Sequence, residues 1–390
     1  MEQFEIVVAL LLAGAVLAAL ARRIGAPYPA LLALAGTVGA VVPGLPEVTL
    51  DPELALALFV APALLDAAFD ASPRDLRDNW LPVGGFAVVA VLLTTAAVAV
   101  VARSLVPDMP WAAAVALGAV VAPPDASAAA AVLRQVGLPH RLLVVLEGES
   151  LFNDATALLV FRMAVAAVAA GSFSPWEALP TLALTCGGGA LLGYALARIY
   201  IWAADRIFDE IGTAVLAQFL GTFGVWLVAE ALHLSAIITV VAYAMTLARI
   251  VPVRTGARRR MASYAVWEVA VFVLNALAFI LIGLQLRGIL LRLGGDMPEA
   301  LLLAGAVCLV VMLVRFAWAM CANLFLRWQY RRYGRRAPRR VAPPTWHGGV
   351  VISWCGMRGI VTLAAGLGRR PTIRWSARWR WRGRKRRAPR

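Results

Sequence analysis

Residues 147–161 read Glu-Gly-Glu-Ser-Leu-Phe-Asn-Asp-Ala-Thr-Ala-Leu-Leu-Val-Phe, and the apolar run they open continues to Ala170. Glu149, Asn153 and Asp154 therefore stand at the head of a stretch long enough to cross a bilayer. A charged group at the bilayer centre costs about 2.5–3.5 kcal/mol on insertion scales, so an acid placed there usually faces a water-filled cavity or an ion path. The rest of the chain reads as the scaffold that holds Asp154.

Of the 390 residues, 62% are hydrophobic, and the mean hydropathy is +0.79. A soluble domain has an apolar share nearer half, so the composition is that of an all-α polytopic membrane protein. The net charge of +15 is unevenly placed: eleven Arg and Lys and no acid lie in 369–390, which leaves +4 for the remainder. The basic balance is thus mostly a property of the tail, and no nucleic-acid partner is expected. Cys186, Cys308, Cys321 and Cys355 lie singly in apolar runs without Cys-x-x-Cys spacing. They indicate neither a disulfide framework nor a zinc site and are expected to be small packed hydrophobes. The first apolar run follows an acidic start and precedes Arg22 and Arg23, the reverse of a signal peptide, so it reads as a retained span.

Twelve apolar windows, some broken, are long enough for about 30 Å of hydrocarbon. They fall near 4–20, 29–43, 54–70, 81–105, 111–133, 143–170, 178–203, 211–231, 234–251, 265–290, 301–327 and 346–367. Even-numbered connections hold Arg103, Arg287 and Arg292; odd-numbered ones hold about twenty arginines, among them Arg74, Arg141, Arg254 and Arg258 to Arg260. The positive-inside rule then puts the odd loops in the cytoplasm and the N-terminus outside. Ala122-Pro123-Pro124-Asp125-Ala126-Ser127 interrupts the fifth span, and Cys355-Gly356-Met357-Arg358-Gly359 the twelfth. Backbone freed from the helical ladder survives at membrane depth only where it is buried in protein or lines a cavity. Two interrupted spans seven apart are what an inverted-repeat transporter shows, with the ion site at the repeat interface.

Asp125 and Asp154 come from consecutive antiparallel spans joined by a short loop, so their carboxylates can meet near the midplane. A hard cation such as Na⁺ takes oxygen ligands, and Ser150, one turn before Asp154, adds a hydroxyl on the same helix face. Two close, partly desolvated carboxylates share a proton, and the same oxygens can bind either that proton or a metal ion. The alternative is that the two acids cap broken helices or pair with Arg358. That arginine cannot shed its proton and needs an acid partner inside a membrane; Glu149 is the first candidate and Glu147 the second. Asp66, in the third span, is either a ligand at a cavity mouth or an interfacial residue. His140, His347 and His233, with Glu230 and Glu268, read as residues of span ends. There is no His-Glu-x-x-His, Walker loop or Gly-x-Ser-x-Gly, so neither an intramembrane metalloprotease nor an ATP-driven pump is indicated.

The segment from Gly118 to Phe161, the run from Trp267 to Leu286, and Gly356-Met-Arg-Gly359 together resemble a bacterial sodium/proton antiporter of the cation/proton antiporter 1 family, over roughly Phe4 to Leu367. The resemblance implies an inverted-repeat fold of thirteen spans with interrupted, crossing helices, a homodimer in the cell's inner membrane, and electroneutral one-for-one exchange of Na⁺, Li⁺ or K⁺ for H⁺ by alternating access. No cofactor is implied. Asn153-Asp154 matches the family's Asn-Asp pair, with Asp154 the shared carrier. Asp125 matches the acid of its Thr-Asp-Pro motif, Ser150 an ion ligand, and Glu149 with Arg358 the stabilising pair. Asp66 stands where many relatives have a Glu that approaches the ion. Na⁺ is thus expected at Asp154, Asp125 and Ser150.

The chain departs from the family in two places. Pro124-Asp125-Ala126 replaces Thr-Asp-Pro, so the threonine hydroxyl is lost and only the Pro124 carbonyl can stand in. After residues 1–367, the expected transmembrane domain, residues 368–390 form an Arg/Trp-rich tail with the chain's single lysine, Lys385, where the family continues into a thirteenth span. A change of reading frame is the expected origin, and the tail is expected to be disordered. Two other readings follow: an inactive antiporter lacking its last span, and a membrane scaffold whose basic tail grips anionic lipid.

Overall fold

The computed structural model describes residues 2–24, 28–40, 51–124, 140–170, 175–204, 206–208, 210–293, 297–333 and 346–354. Each of the twelve apolar windows carries a helix in the described residues. In chain order these are α1 (Glu2–Ile24) and α2 (Tyr28–Ala40), then α3 (52–70), the short α4 (Pro73–Asp78) and α5 (Trp80–Leu105). They are followed by α6 (Trp111–Val121), α7 (His140–Ala170), α8 (Pro175–Ala204), α9 (Ile211–Ala231), α10 (Ala236–Arg254), α11 (Ala257–Leu293), α12 (Met297–Tyr333) and α13 (Trp346–Trp354). Seven of them are long and apolar enough to cross a membrane.

The surface explains why the composition is so apolar. Leu12, Leu184, Leu191, Met312 and Leu313 stand well exposed, a face that in water would be an aggregation site and that lipid covers without cost. Cys308 and Cys321 are also exposed, on α12, so the expectation that they pack as small core residues is corrected. α12 turns most of its side chains outward.

The helices form two groups. α5, α6, α7, α12 and α13 pack on one another, and α1, α2, α3, α8, α9, α10 and α11 form the second group, the two meeting along α7 with α3 and α10. Prolines lie at or near breaks and π turns in three of the helices packed on α7. α6 stops at Val121, just before Pro123 and Pro124, as the interrupted fifth span requires; residues 125–139 and 355–390 lie outside the described residues. α3 contains a π-helical turn at Leu56–Val60 directly before Pro62, and α5 one at Gly85–Ala90 just after Pro82. Pro62 removes one ladder donor and crowds the Leu58 carbonyl four residues back, and the widened turn there absorbs the misfit; Pro82 sits in the first turn of α5, where its missing N–H costs no ladder bond.

Close approach between α2 and α11 rests on two glycines. A Cβ on Gly36 would collide with the Ile280 carbonyl, and one on Gly283 with the Ala33 carbonyl. Small residues at such crossings let backbones touch and gain packing, which drives helix association in lipid. Gly283→Val is expected to lower the melting temperature of the detergent-solubilised protein, an overpacking loss of about 1–3 kcal/mol. Gly39→Ala, whose Cβ meets only the Leu284 side chain at 3.5 Å, is expected to leave it unchanged; equal effects would contradict the crossing.

Candidate ion site and its buried ion pair

α7 runs unbroken for 31 residues, and Asp154 lies fourteen residues from its start, roughly 21 Å at 1.5 Å per residue. That is mid-depth. Val145, Glu149, Asn153 and Ala157 recur every four residues and form the buried stripe of the helix. Ser150 and Asp154, each one position further on, are half-buried. Ser150 and Asp154 share one face, as their spacing requires.

Glu149 is 1% exposed and Arg315, from α12, 5%. Arg315 Nη1 donates to Glu149 Oε1 at 2.5 Å and Nη2 to Oε2 at 3.1 Å, the parallel two-bond geometry that a guanidinium offers a carboxylate. Nη2 also donates to the Ile352 carbonyl of α13 at 3.2 Å. The Phe86 ring, in the π turn of α5, lies 5.9 Å from the guanidinium carbon. Beside the pair packs a cluster of Phe86, Ala90, Val145, Leu146, Ala319 and Ile352. The pair is therefore a four-helix joint in an apolar setting.

Arg315 is the functional residue that the sequence reading missed. Its signal was available: a lone arginine midway through the window 301–327 is as costly there as Asp154 is in its own span. Glu149 was expected to hold Arg358; among the described residues the guanidinium on Glu149 is that of Arg315, and Arg358 lies outside them. Glu147, the second candidate, is exposed.

Asn153 is 0% exposed. Its Nδ2 donates to the Pro124 carbonyl at 3.1 Å, so α7 is tied to the interrupted end of α6. Its Oδ1 is buried and receives no hydrogen bond among the described residues. Val91, Ala122 and Ala157 pack as a small cluster of α5, α6 and α7 residues around this link. Asp125, one peptide beyond Pro124 in the chain, lies outside the described residues.

Asp66 is half-buried and lines a cleft with Arg254, Arg259 and Arg260; Glu149, Ser150, Asn153 and Asp154 do not line that cleft. His140 is exposed at the start of α7, with Nε2 3.3 Å from Asp75 Oδ2. Glu230 pairs with Arg162 at 2.8 Å, a partly exposed bridge between α7 and α9. His233 is exposed just past the end of α9, and Glu268 is exposed as the twelfth residue of α11, inside the helix and not at its end.

Arg315→Met is expected to destabilise the protein by about 3–5 kcal/mol, because it strands a buried carboxylate. The double variant Glu149→Leu/Arg315→Met is expected to recover most of that loss, since two well-packed apolar groups replace a desolvated pair. Thermal unfolding in detergent reads both; a single variant as stable as the wild type would contradict the buried joint.

The protein-family profile described as "Sodium/hydrogen exchanger, transmembrane" matches residues 7–369. An uncharacterized Na(+)/H(+) exchanger of Mycobacterium tuberculosis is 33% identical over 370 residues, covering 93% of this chain and 66% of the relative. The sodium, potassium, lithium and rubidium/H(+) antiporter of Bacillus pumilus is 31% identical over 353 residues, covering 87% of this chain and 51% of the relative. The chain thus spans between half and two thirds of the length of these relatives. The solved structure of a sodium proton antiporter from Methanocaldococcus jannaschii at pH 8 superposes with a TM-score of 0.69 at 18% identity, covering 94% of this chain and 85% of that one. The two proteins share a fold, which in this chain is all-helical among the described residues. With its profile matched over nearly the whole chain, this multi-pass membrane protein belongs to the transmembrane sodium/hydrogen exchanger family.

Proposed function

We propose that the chain exchanges a monovalent cation for a proton across the membrane by alternating access, with Asp154 as the group that carries either one. The observation that carries the reading is the pairing of Asp154, half-buried at mid-depth, with an adjacent Asn153 whose buried Oδ1 accepts nothing among the described residues. A buried acceptor without a donor costs about 1–3 kcal/mol, and a dehydrated cation recovers that cost because it needs oxygen ligands. Ser150 Oγ and the Asp154 carboxylate lie on the next face of the same helix, and the Pro124 carbonyl, just past the end of α6, is held by Asn153 Nδ2. Asp125 completes the proposed ligand set. The Glu149–Arg315 pair neutralises its own charge, so it stands as a brace beside the site.

Competition for one carboxylate couples the two flows without a cofactor, because occupation by a proton removes the negative charge that holds the cation. Na⁺, Li⁺ and K⁺ are the candidate cargoes; the antiporter of Bacillus pumilus is described as taking sodium, potassium, lithium and rubidium. A homodimer in the cell's inner membrane, with the arginine-rich connections in the cytoplasm and the N-terminus outside, completes the reading.

In proteoliposomes carrying a pH-sensitive dye, a Na⁺ or Li⁺ pulse is expected to move protons, and Asp154→Asn to reduce this to the level of empty vesicles with the melting temperature retained. Exchange that survives Asp154→Asn would overturn the assignment, and absence of exchange in the unaltered chain would favour the inactive form.

A further inference from the structure

At the end of the bundle that bears the arginine-rich connections, five helices of the second group converge. α3, α8 and α10 end there, and α9 and α11 begin there. Between them is a cleft of about 70 Å³, where a single water needs roughly 10–15 Å³. It has room for a group of several heavy atoms.

The wall of the cleft has two characters. Leu65, Phe69 and Trp267 make an apolar side, while Arg254, Arg259 and Arg260 bring three guanidiniums. Asp66 is the one acid among the described lining residues, so the formal charge of the wall is +2. Two of the arginines are held in place by backbone: Arg259 Nη2 donates to the Phe208 carbonyl at 2.7 Å, and Arg260 Nη1 to the Pro252 carbonyl at 2.8 Å. Pro252 lies in the last turn of α10, whose terminal carbonyls have no partner within the helix. Capping it fixes Arg260 before any ligand arrives.

Such a cleft repels the cations that the proposed site at Asp154 attracts, so it is no vestibule for them. What it suits is an anion. A guanidinium presents planar, charged donors that match phosphate oxygens, and basic pockets between transmembrane helices at headgroup depth take anionic lipid headgroups. The apolar side gives the non-phosphate part of such a ligand somewhere to lie.

We propose that this cleft, centred on Arg254, Arg259 and Arg260, binds the phosphate group of an anionic ligand, supplied by a lipid headgroup or by a soluble phosphate compound. All five helices belong to the group that does not carry Asp154, so occupancy ties their ends together and stiffens that group. The proposal is independent of which ion is transported.

The full-length protein, delipidated in neutral detergent, is titrated with phosphatidylglycerol, with phosphatidylcholine or with millimolar inorganic phosphate while its melting temperature is followed. Phosphatidylglycerol is expected to raise it by about 2–5 °C and phosphatidylcholine to leave it unchanged. The rise is expected to persist in Arg74→Gln, an exposed arginine outside the cleft, and to vanish in Arg254→Gln/Arg260→Gln. A rise with phosphatidylglycerol alone assigns the cleft to a lipid headgroup, and an equal rise with inorganic phosphate assigns it to a soluble ligand; both support the proposal. No rise with either, or a rise undiminished in the double variant, overturns it. Should the double variant fail to fold, Ser263→Phe fills the cleft with all three arginines kept, and a wild-type response in that variant overturns the proposal.

Discussion

A carboxylate and a guanidinium that are both removed from water must find each other, and in this protein Glu149 and Arg315 do so across 166 residues of chain. Two ions buried in a low-dielectric setting lose several kcal/mol of hydration each, and only near-ideal geometry with further hydrogen bonds recovers it. The paired bonds to Glu149, the Ile352 carbonyl and the Phe86 ring provide most of that geometry, while the buried Arg315 Nε has no hydrogen-bond partner among the described residues. The helices α5, α7, α12 and α13 cannot slide past one another without breaking it. Their mutual register is thereby set at mid-depth.

Everything proposed for the ion site depends on that register. With Glu149 pinned, the stripe through Val145, Asn153 and Ala157 faces the partner helices, which brings the Asn153 amide onto the Pro124 carbonyl. Ser150 and Asp154 then fall on the neighbouring, less buried face. One acid of the helix, Glu149, is neutralised by Arg315, and the proposal assigns the other, Asp154, to the mobile cation or the proton. Asn153 holds the Pro124 carbonyl in place at the end of α6.

The helical character, the end of the helix before Pro123 and the burial of polar groups in the Glu149-to-Asp154 segment were legible in the chain because each has a local signature. Acids in an apolar run, prolines beside a charge and a continuous apolar window need no knowledge of the partner. Arg315 escapes a reading that takes arginines as topology signals in the connections, although the cost that singles out Asp154 applies equally to an arginine within a span. Its pairing with Glu149 could not be read at all, since periodicity along one helix carries no information about a helix far away in the chain. The π turns before Pro62 and after Pro82 were likewise hidden: the prolines are visible, but whether a helix breaks or widens around one depends on its neighbours. Asp66 remained divided between two roles because nothing in its own span reveals that three arginines from the α10–α11 region line the same cleft.

The central claim is that one carboxylate, Asp154, holds either a proton or a cation. Adding Na⁺ or Li⁺ to the purified protein in weakly buffered solution, and recording the pH, tests this without any need for a membrane gradient. The account predicts that the cation displaces protons into solution from the wild-type protein and that Asp154→Asn abolishes the release. Cation binding without proton release, or release of equal size from Asp154→Asn, would contradict it.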